Sequence, residues 1–186
     1  MKIRLAAYLQ PDSIVDGEGV RTVVWTQGCP HHCPGCHNAS TWDFDGGALI
    51  EVEDVINELK KLKNQDGITL SGGDPVCQAD ACYEISKAAH EMGLNVWCYT
   101  GFTYEQMLLN PKMRRLLDQV DVLVDGKFLQ EEKSYDIYFR GSRNQRIIDV
   151  PKSLEAEQVV LVDKYMKDKD YNCLLYTSPS PRDAHE

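Results

Sequence analysis

No apolar run in these 186 residues approaches the roughly 20 positions that a membrane-spanning helix needs. Basic residues are in deficit as well: 20 Lys and Arg stand against 29 Asp and Glu, a net charge of −9. A general nucleic-acid binder or an anionic-membrane binder needs a basic face, so neither partner is expected. The start of the chain, MKIRLAAYLQPDSIVDGEG, turns acidic after a short apolar run and lacks the pattern of an export signal. The expected location is therefore the cytoplasm, where seven cysteines read as metal ligands, catalytic thiols or small buried hydrophobes rather than disulfides. No repeat of fixed period is present. Hydrophobic residues make up 42% and charged residues 26%, an ordinary globular balance at a length suited to one domain with one sizeable core.

What the chain does have is an alternation of strand-like and helix-like segments. VRTVVWTQ (20–27) is rich in β-branched residues and reads as a strand. In EVEDVINELKKLKNQ (51–65), Val52, Val55, Ile56, Leu59 and Leu62 follow helical spacing. GITLSGGDP (67–75) is a short strand ending in a glycine turn, and residues 78–92 are helical up to Gly93. LNVWCYTG (94–101) reads as a strand, 103–118 as a helix, and VDVLVDGKF (120–128), RIIDVP (146–151) and EQVVLVD (157–163) as further strands. Strand, helix, strand in succession implies parallel strands with crossover helices, an α/β fold. Chemistry in such folds collects at the carboxyl ends of the strands, where the TQGCPHHCPGCHN loop, the SGGDP turn, the YTG turn and the DGK turn all fall. The final CLLYTSPSPRDAHE (173–186) abandons the periodicity and resembles the translation of a sequencing-library adapter; the expectation is a non-native or disordered tail.

The loop TQGCPHHCPGCHN (26–38) places Cys29, Cys33 and Cys36 within eight positions. A structural zinc site wants four ligands, and here a fourth would have to come from His31, His32 or His37. Three thiolates without a fourth suit a [4Fe–4S] cluster in which one iron keeps an open position for an exogenous ligand. Three unrelated buried cysteines are the remaining reading, and a poor one for so compressed a cluster. Glycines and prolines between the thiols let backbone N–H groups turn toward the sulfurs.

C-x3-C-x2-C after a strand resembles the signature of radical S-adenosylmethionine enzymes, and SGGDP (71–75) resembles their cofactor-binding turn. The resemblance implies a partial, open (β/α) barrel over residues 1–165, with Cys29, Cys33 and Cys36 as cluster ligands. It further implies Gly35, Cys36 and His37 lining S-adenosyl-L-methionine, and the Gly72, Gly73 and Asp74 turn meeting its amino group. Many members carry an aromatic residue just before the last cysteine, where this chain has Gly35. Thr100, Asp125 and Lys127 are expected at the cofactor's carboxylate or at a bound cation, the alternative being a solvated turn. Asp16, Glu18 and Arg21 either line the site or form a polar loop with a surface ion pair. Arg140, Arg143, Asn144 and Arg146 form a local basic patch, and Cys77, Cys82 and Cys98 read as buried small hydrophobes. Together, DGEGVRTVVWTQGCPHHCPGCHN (16–38), DGKF (125–128) and FRGSRNQRIIDV (139–150) are similar to the activating proteins of anaerobic ribonucleoside-triphosphate reductases, over about residues 3–163. That family implies the large reductase subunit as protein substrate, a glycine hydrogen atom as the target, and a flavodoxin-type or ferredoxin-type electron donor. Activation of another glycyl-radical enzyme, such as pyruvate formate-lyase, is the neighbouring alternative, and a zinc-stabilised binding module the distant one.

Overall fold

The β-branched run RTVVWT forms the central strand β3 (Arg21–Thr26) of a mixed eight-stranded sheet. The structure is a computed structural model that describes residues 1–170, so the 173–186 segment lies outside the described residues. Strands β1 (Lys2–Leu5), β2 (Gln10–Ser13), β4 (Ala48–Glu51), β5 (Gly67–Gly72), β6 (Asn95–Tyr99), β7 (Val122–Asp125) and β8 (Arg146–Asp149) complete the sheet. Its order is β4-β1-β3-β5-β6-β7-β8, with β2 also paired to β3. The strands β3, β5, β6 and β7 run parallel, joined by α1 (Val52–Lys61), α2 (Ala79–Glu91), and the pair α3 (Tyr104–Leu109) and α4 (Pro111–Leu117). Antiparallel strands flank this centre on both sides.

Alternation along the parallel strands sorts side chains onto two faces. Val24, Ile68, Leu70, Val96, Cys98, Leu123 and Ile148 meet the apolar stripes of the helices, α5 (Val150–Ala156) included, in one large core. Trp97, Val124 and Ile147 point the other way and pack with Tyr99, Phe139, Tyr165 and Met166 in a smaller one. That second face is covered by loops, not helices. Residues 130–145 and 163–170 are tied together there by a bidentate Arg143–Asp168 pair and by backbone pairing of Ile137 with Asp168.

Several elements depart from the sequence reading. The helical stretch 103–118 is two helices, because Pro111 cannot continue a helix; Asn110 instead caps the second one, accepting from the N–H groups of Lys112 and Met113. RIIDVP is a strand only to Asp149, whose side chain caps α5 with a proline in its first turn. EQVVLVD makes one bridge, Leu161 to Ile148, and is otherwise irregular. Cys82 and Cys98 are core residues as expected, whereas Cys77 is exposed, because Pro75 and Val76 take the inward positions of their short 3-10 turn. Arg146, from the basic patch, pairs with Glu105 and with the buried Asp125.

At the far end of α2, His90 has acceptors at both ring nitrogens: Gln119 Oε1 at 3.0 Å and Asp121 Oδ2 at 2.8 Å. Asp121 also accepts the N–H of Val96, fixing the start of β6. Burial opposes charge on the ring, but the hydrogen bonds it donates to Asp121 and Gln119 outweigh that and raise the His90 pKa above its ordinary value. A histidine with a raised native pKa contributes stability that is fully present below the unfolded pKa and lost as pH rises through the native one. Replacement His90→Ala is therefore expected to cost about 0.5–1 kcal/mol near pH 6, a modest figure because the pair is partly solvent-screened. The loss should shrink in urea denaturation near pH 8.5.

Candidate functional site

Parallel register delivers the polar loops to one rim. Thr26 lies level with Gly72, Leu70 with Cys98, and Tyr99 with Val124, so the segments that follow β3, β5 and β6 emerge side by side. The β3–β5 ladder even continues past the strands, since Gly73 N–H donates to Thr26 O and Asp74 N–H to Gly28 O, both at 2.8 Å. This contact demands glycine. A Cβ on Gly72, at φ +102°, would lie 2.4 Å from Thr26 O, and one on Gly73 would lie 2.4 Å from Gly28 O. The backbone that approaches Gly72 and Gly73 this closely is that of the cysteine loop and its root at Thr26.

Around these loops lies a cavity of about 690 Å³. Of the residues singled out from sequence, Cys29, Cys33, Cys36, His37, Gly72, Gly73, Asp74 and Thr100 line it; Gly35, Asp125 and Lys127 do not. Gly35 sits at φ +78° against the Gln130 side chain, and serves the turn between the second and third cysteines. The reason for Asp125 is parity. In VLVD, Val124 belongs to the cavity face and Leu123 to the helix face, so Asp125 points to the helices. There it accepts from Tyr104 N–H at 2.8 Å and from Arg146, whose guanidinium it holds well above its ordinary pKa. Lys127 is exposed on the following turn. The same alternation, applied along β3, β5 and β6, places Trp25, Ser71 and Tyr99 on the cavity wall, a signal that the motif reading did not use.

Arg21 neither lines the cavity nor forms a surface ion pair. It is fully buried beneath the floor, donating to Thr69 Oγ1 at 2.7 Å, Glu18 O at 2.8 Å and Ile68 O at 2.6 Å, with its guanidinium 5.4 Å from the Trp97 ring centre. Burial lowers its pKa to about 10. Asp16 reaches the cavity, whereas Glu18 pairs with Lys164 on the surface.

The donor set fits an iron–sulfur cluster. All three cysteines are free and partly buried. Burial raises the Cys29 pKa, with Asp74 and Cys33 acting in the same direction, while backbone N–H groups of His31 and His32 oppose it. Asn38 N–H donates to Cys36 Sγ at 3.4 Å. Half-buried sulfurs, two of them with N–H groups aimed at them, would be stabilised as thiolates by the positive charge of bound iron. The compact single-ion set among the described residues is different: Cys29, His31 and Asp74, with donor atoms within 4.8 Å of one another. It leaves Cys33 and Cys36 out.

Residues 15–148 match the model of a family described as "4Fe-4S single cluster domain". The chain is 36% identical over 151 residues to the anaerobic ribonucleoside-triphosphate reductase-activating protein of Haemophilus influenzae, covering 75% of this chain and 96% of that protein. The Escherichia coli K12 protein of the same name is 39% identical over 145 residues, 73% of this chain and 92% of its own length. The one from Enterobacteria phage T4 is 35% identical over 147 residues, 75% of this chain and 90% of its own length. Among solved structures, a crystal structure of QueE from Escherichia coli overlaps 55% of this chain and 54% of its own at a TM-score of 0.47 and 14% identity. With its cysteine loop inside the matched single-cluster region and 96% and 92% of the two cellular relatives' lengths covered, the chain belongs to the anaerobic ribonucleoside-triphosphate reductase-activating proteins.

Proposed function

We propose that this chain activates an anaerobic ribonucleoside-triphosphate reductase, as the names of its relatives state for them, by radical chemistry at a [4Fe–4S] cluster held by Cys29, Cys33 and Cys36. The observation that carries the reading is the three-cysteine loop laid against the Gly72–Asp74 turn at the rim of one cavity. When bound, the cluster supplies an electron that splits S-adenosylmethionine into methionine and a 5′-deoxyadenosyl radical, which takes a hydrogen atom from a glycine of the reductase.

The residues of the chain hold, orient and shield. The three cysteines would hold the iron of the cluster, leaving a coordination position for the cofactor. Gly72, Gly73, His37 and Thr100 line the same cavity and would border the cofactor there. Trp25, Tyr99, Phe128, Ile137 and Phe139 give the wall an apolar, aromatic character that limits water around a reactive radical. At the rim, Val15 and Tyr135 are 73% and 77% exposed, an apolar lip for an entering protein loop. A glycine, having no side chain, threads such an opening more readily than any other residue. In this reading residues 1–165 form one domain, a partial open barrel with the mixed sheet as its wall and the loop-covered face as its lumen. A small flavodoxin-type or ferredoxin-type protein supplies the electron. No helix among the described residues is long and apolar enough to cross a membrane.

Cys33→Ala separates this reading from a single-ion site. Anaerobically reconstituted wild-type chain is expected to bind four irons per chain, cleave S-adenosylmethionine and raise a glycyl-radical doublet on the reductase in electron paramagnetic resonance. The variant should lose all three. If the wild-type chain binds a single ion and Cys33→Ala keeps it, the metal sits on Cys29, His31 and Asp74 and the cluster reading fails. Gly73→Ala drives a methyl group into the Gly28 carbonyl and is expected to destabilise the fold by about 1–3 kcal/mol. Iron content should fall although every ligand is intact, measured by denaturation midpoint and iron assay.

A further inference from the structure

Between the first two cysteines stand two histidines that the chemistry above does not use. His32 has φ +48°, a left-handed conformation that sends the neighbouring side chains to opposite sides. Its ring stacks outward on Trp42, with centroids 4.6 Å apart and planes 8° from parallel. The side chain of His31 turns inward and is 7% exposed. Phe102 meets the His31 ring edge-on at 4.6 Å, and a Cβ on Gly101 would lie 2.4 Å from that ring. His31 Nε2 donates to Asp74 Oδ2 at 2.7 Å.

Asp74 is 1% exposed and collects donors from three loops. Besides His31 it accepts from Thr100 Oγ1 at 2.9 Å, from Gly101 N–H at 3.0 Å and from Val76 N–H at 3.1 Å. A carboxylate offers about four acceptor positions, and these donors use them. Asp74 therefore acts as a hub between loops, leaving the backbone of its turn to face the cavity.

We propose that His31 is a positioning residue: through Asp74 it locks the cysteine loop to the glycine turn and to the loop after β6, fixing the cluster relative to the surface that receives the cofactor's amino-acid end. The proposal rests on the cluster reading above. A ligand that touches both iron and the glycine turn needs the two held to within about half an ångström, and a side chain anchored only by its own loop does not provide that. Outer partners of this kind commonly change affinity by about 10–100-fold when removed.

The test uses the full chain, reconstituted anaerobically, with three readouts: iron and sulfide per chain, the Kd for S-adenosylmethionine, and the change that S-adenosylmethionine produces in the electron paramagnetic resonance spectrum of the reduced cluster. His31→Ala is expected to keep its iron, weaken S-adenosylmethionine binding by about tenfold or more, and lose the spectral change; His31→Gln, which keeps a donor near the position of Nε2, should recover most of both. Gly101→Ala touches no ligand of the cluster but pushes the His31 ring off Asp74. It should reproduce the defect in the native background and add nothing to His31→Ala. The proposal is overturned if His31→Ala binds S-adenosylmethionine with native affinity and an unchanged spectral response. It is equally overturned if Gly101→Ala weakens binding by the same factor whether or not His31 is present, a comparison that decides even where His31→Ala takes up less iron. A wild-type chain that takes up no cluster overturns the functional reading itself and is seen before any variant is compared.

Discussion

Backbone contact between the cysteine loop and the Gly72–Gly73 turn is the constraint on which the rest depends. Strands ordinarily diverge once their ladder ends, and loops then drift apart. Here two further N–H donations carry the pairing beyond β3 and β5, from Gly73 to Thr26 and from Asp74 to Gly28. The cysteine loop is in effect an extension of the sheet, stiffened at its root where three ligands must converge. The position of Asp74 follows from the same contact. With its N–H held by Gly28 O, its side chain faces the loop after β6 and reaches His31 and Thr100 together.

The two faces of the sheet solve different problems. Against the helices, close packing of Val, Ile, Leu and cysteine supplies most of the apolar burial. On the opposite face a fully packed core would leave no cavity, so the filling is uneven: aromatic residues and the strap around Tyr165 and Met166 close one end, and the other stays open. Arg21 belongs to this arrangement. A guanidinium buried without a carboxylate is expensive, yet its N–H groups meet carbonyl and hydroxyl oxygens and its plane lies near Trp97. It joins the Glu18 loop, β5 and the aromatic floor with one side chain, which a short apolar residue has no means of doing.

Sequence carried the parallel centre and most of the site because both are encoded locally. Four strands with β-branched or aromatic residues, each ending in a turn of characteristic composition, define the rim without tertiary information. Where locality fails, so does the reading. Asp125 looked like a cavity residue because it ends a strand beside the site, but the parity of VLVD turns it toward Tyr104 and Arg146, and Arg146 lies 21 positions away. His31 was weighed only as a fourth metal ligand, since its partner Asp74 is 43 residues off and only the folded register unites them. The strands KIRL and QPDS are too short, and the second too polar, to announce themselves; QPDS forms by pairing with β3, and KIRL, between β4 and β3, by pairing chiefly with β4.

Among the described residues the cavity keeps an open mouth, which under the proposed function fits a protein substrate better than a small molecule. A small-molecule site gains from burying nearly all of its ligand. Here Val15 and Tyr135 line the mouth of the cavity and stay largely exposed, where a compact ligand seated near the cysteines would leave them uncovered. Under the proposed function, an extended loop of the reductase would cover these two residues and keep water from the radical. The hydrogen-bonded part of the site, from Gly28 through His31 to Asp74 and Thr100, is prebuilt, so that on the proposed function only the mouth is left for the protein substrate to close.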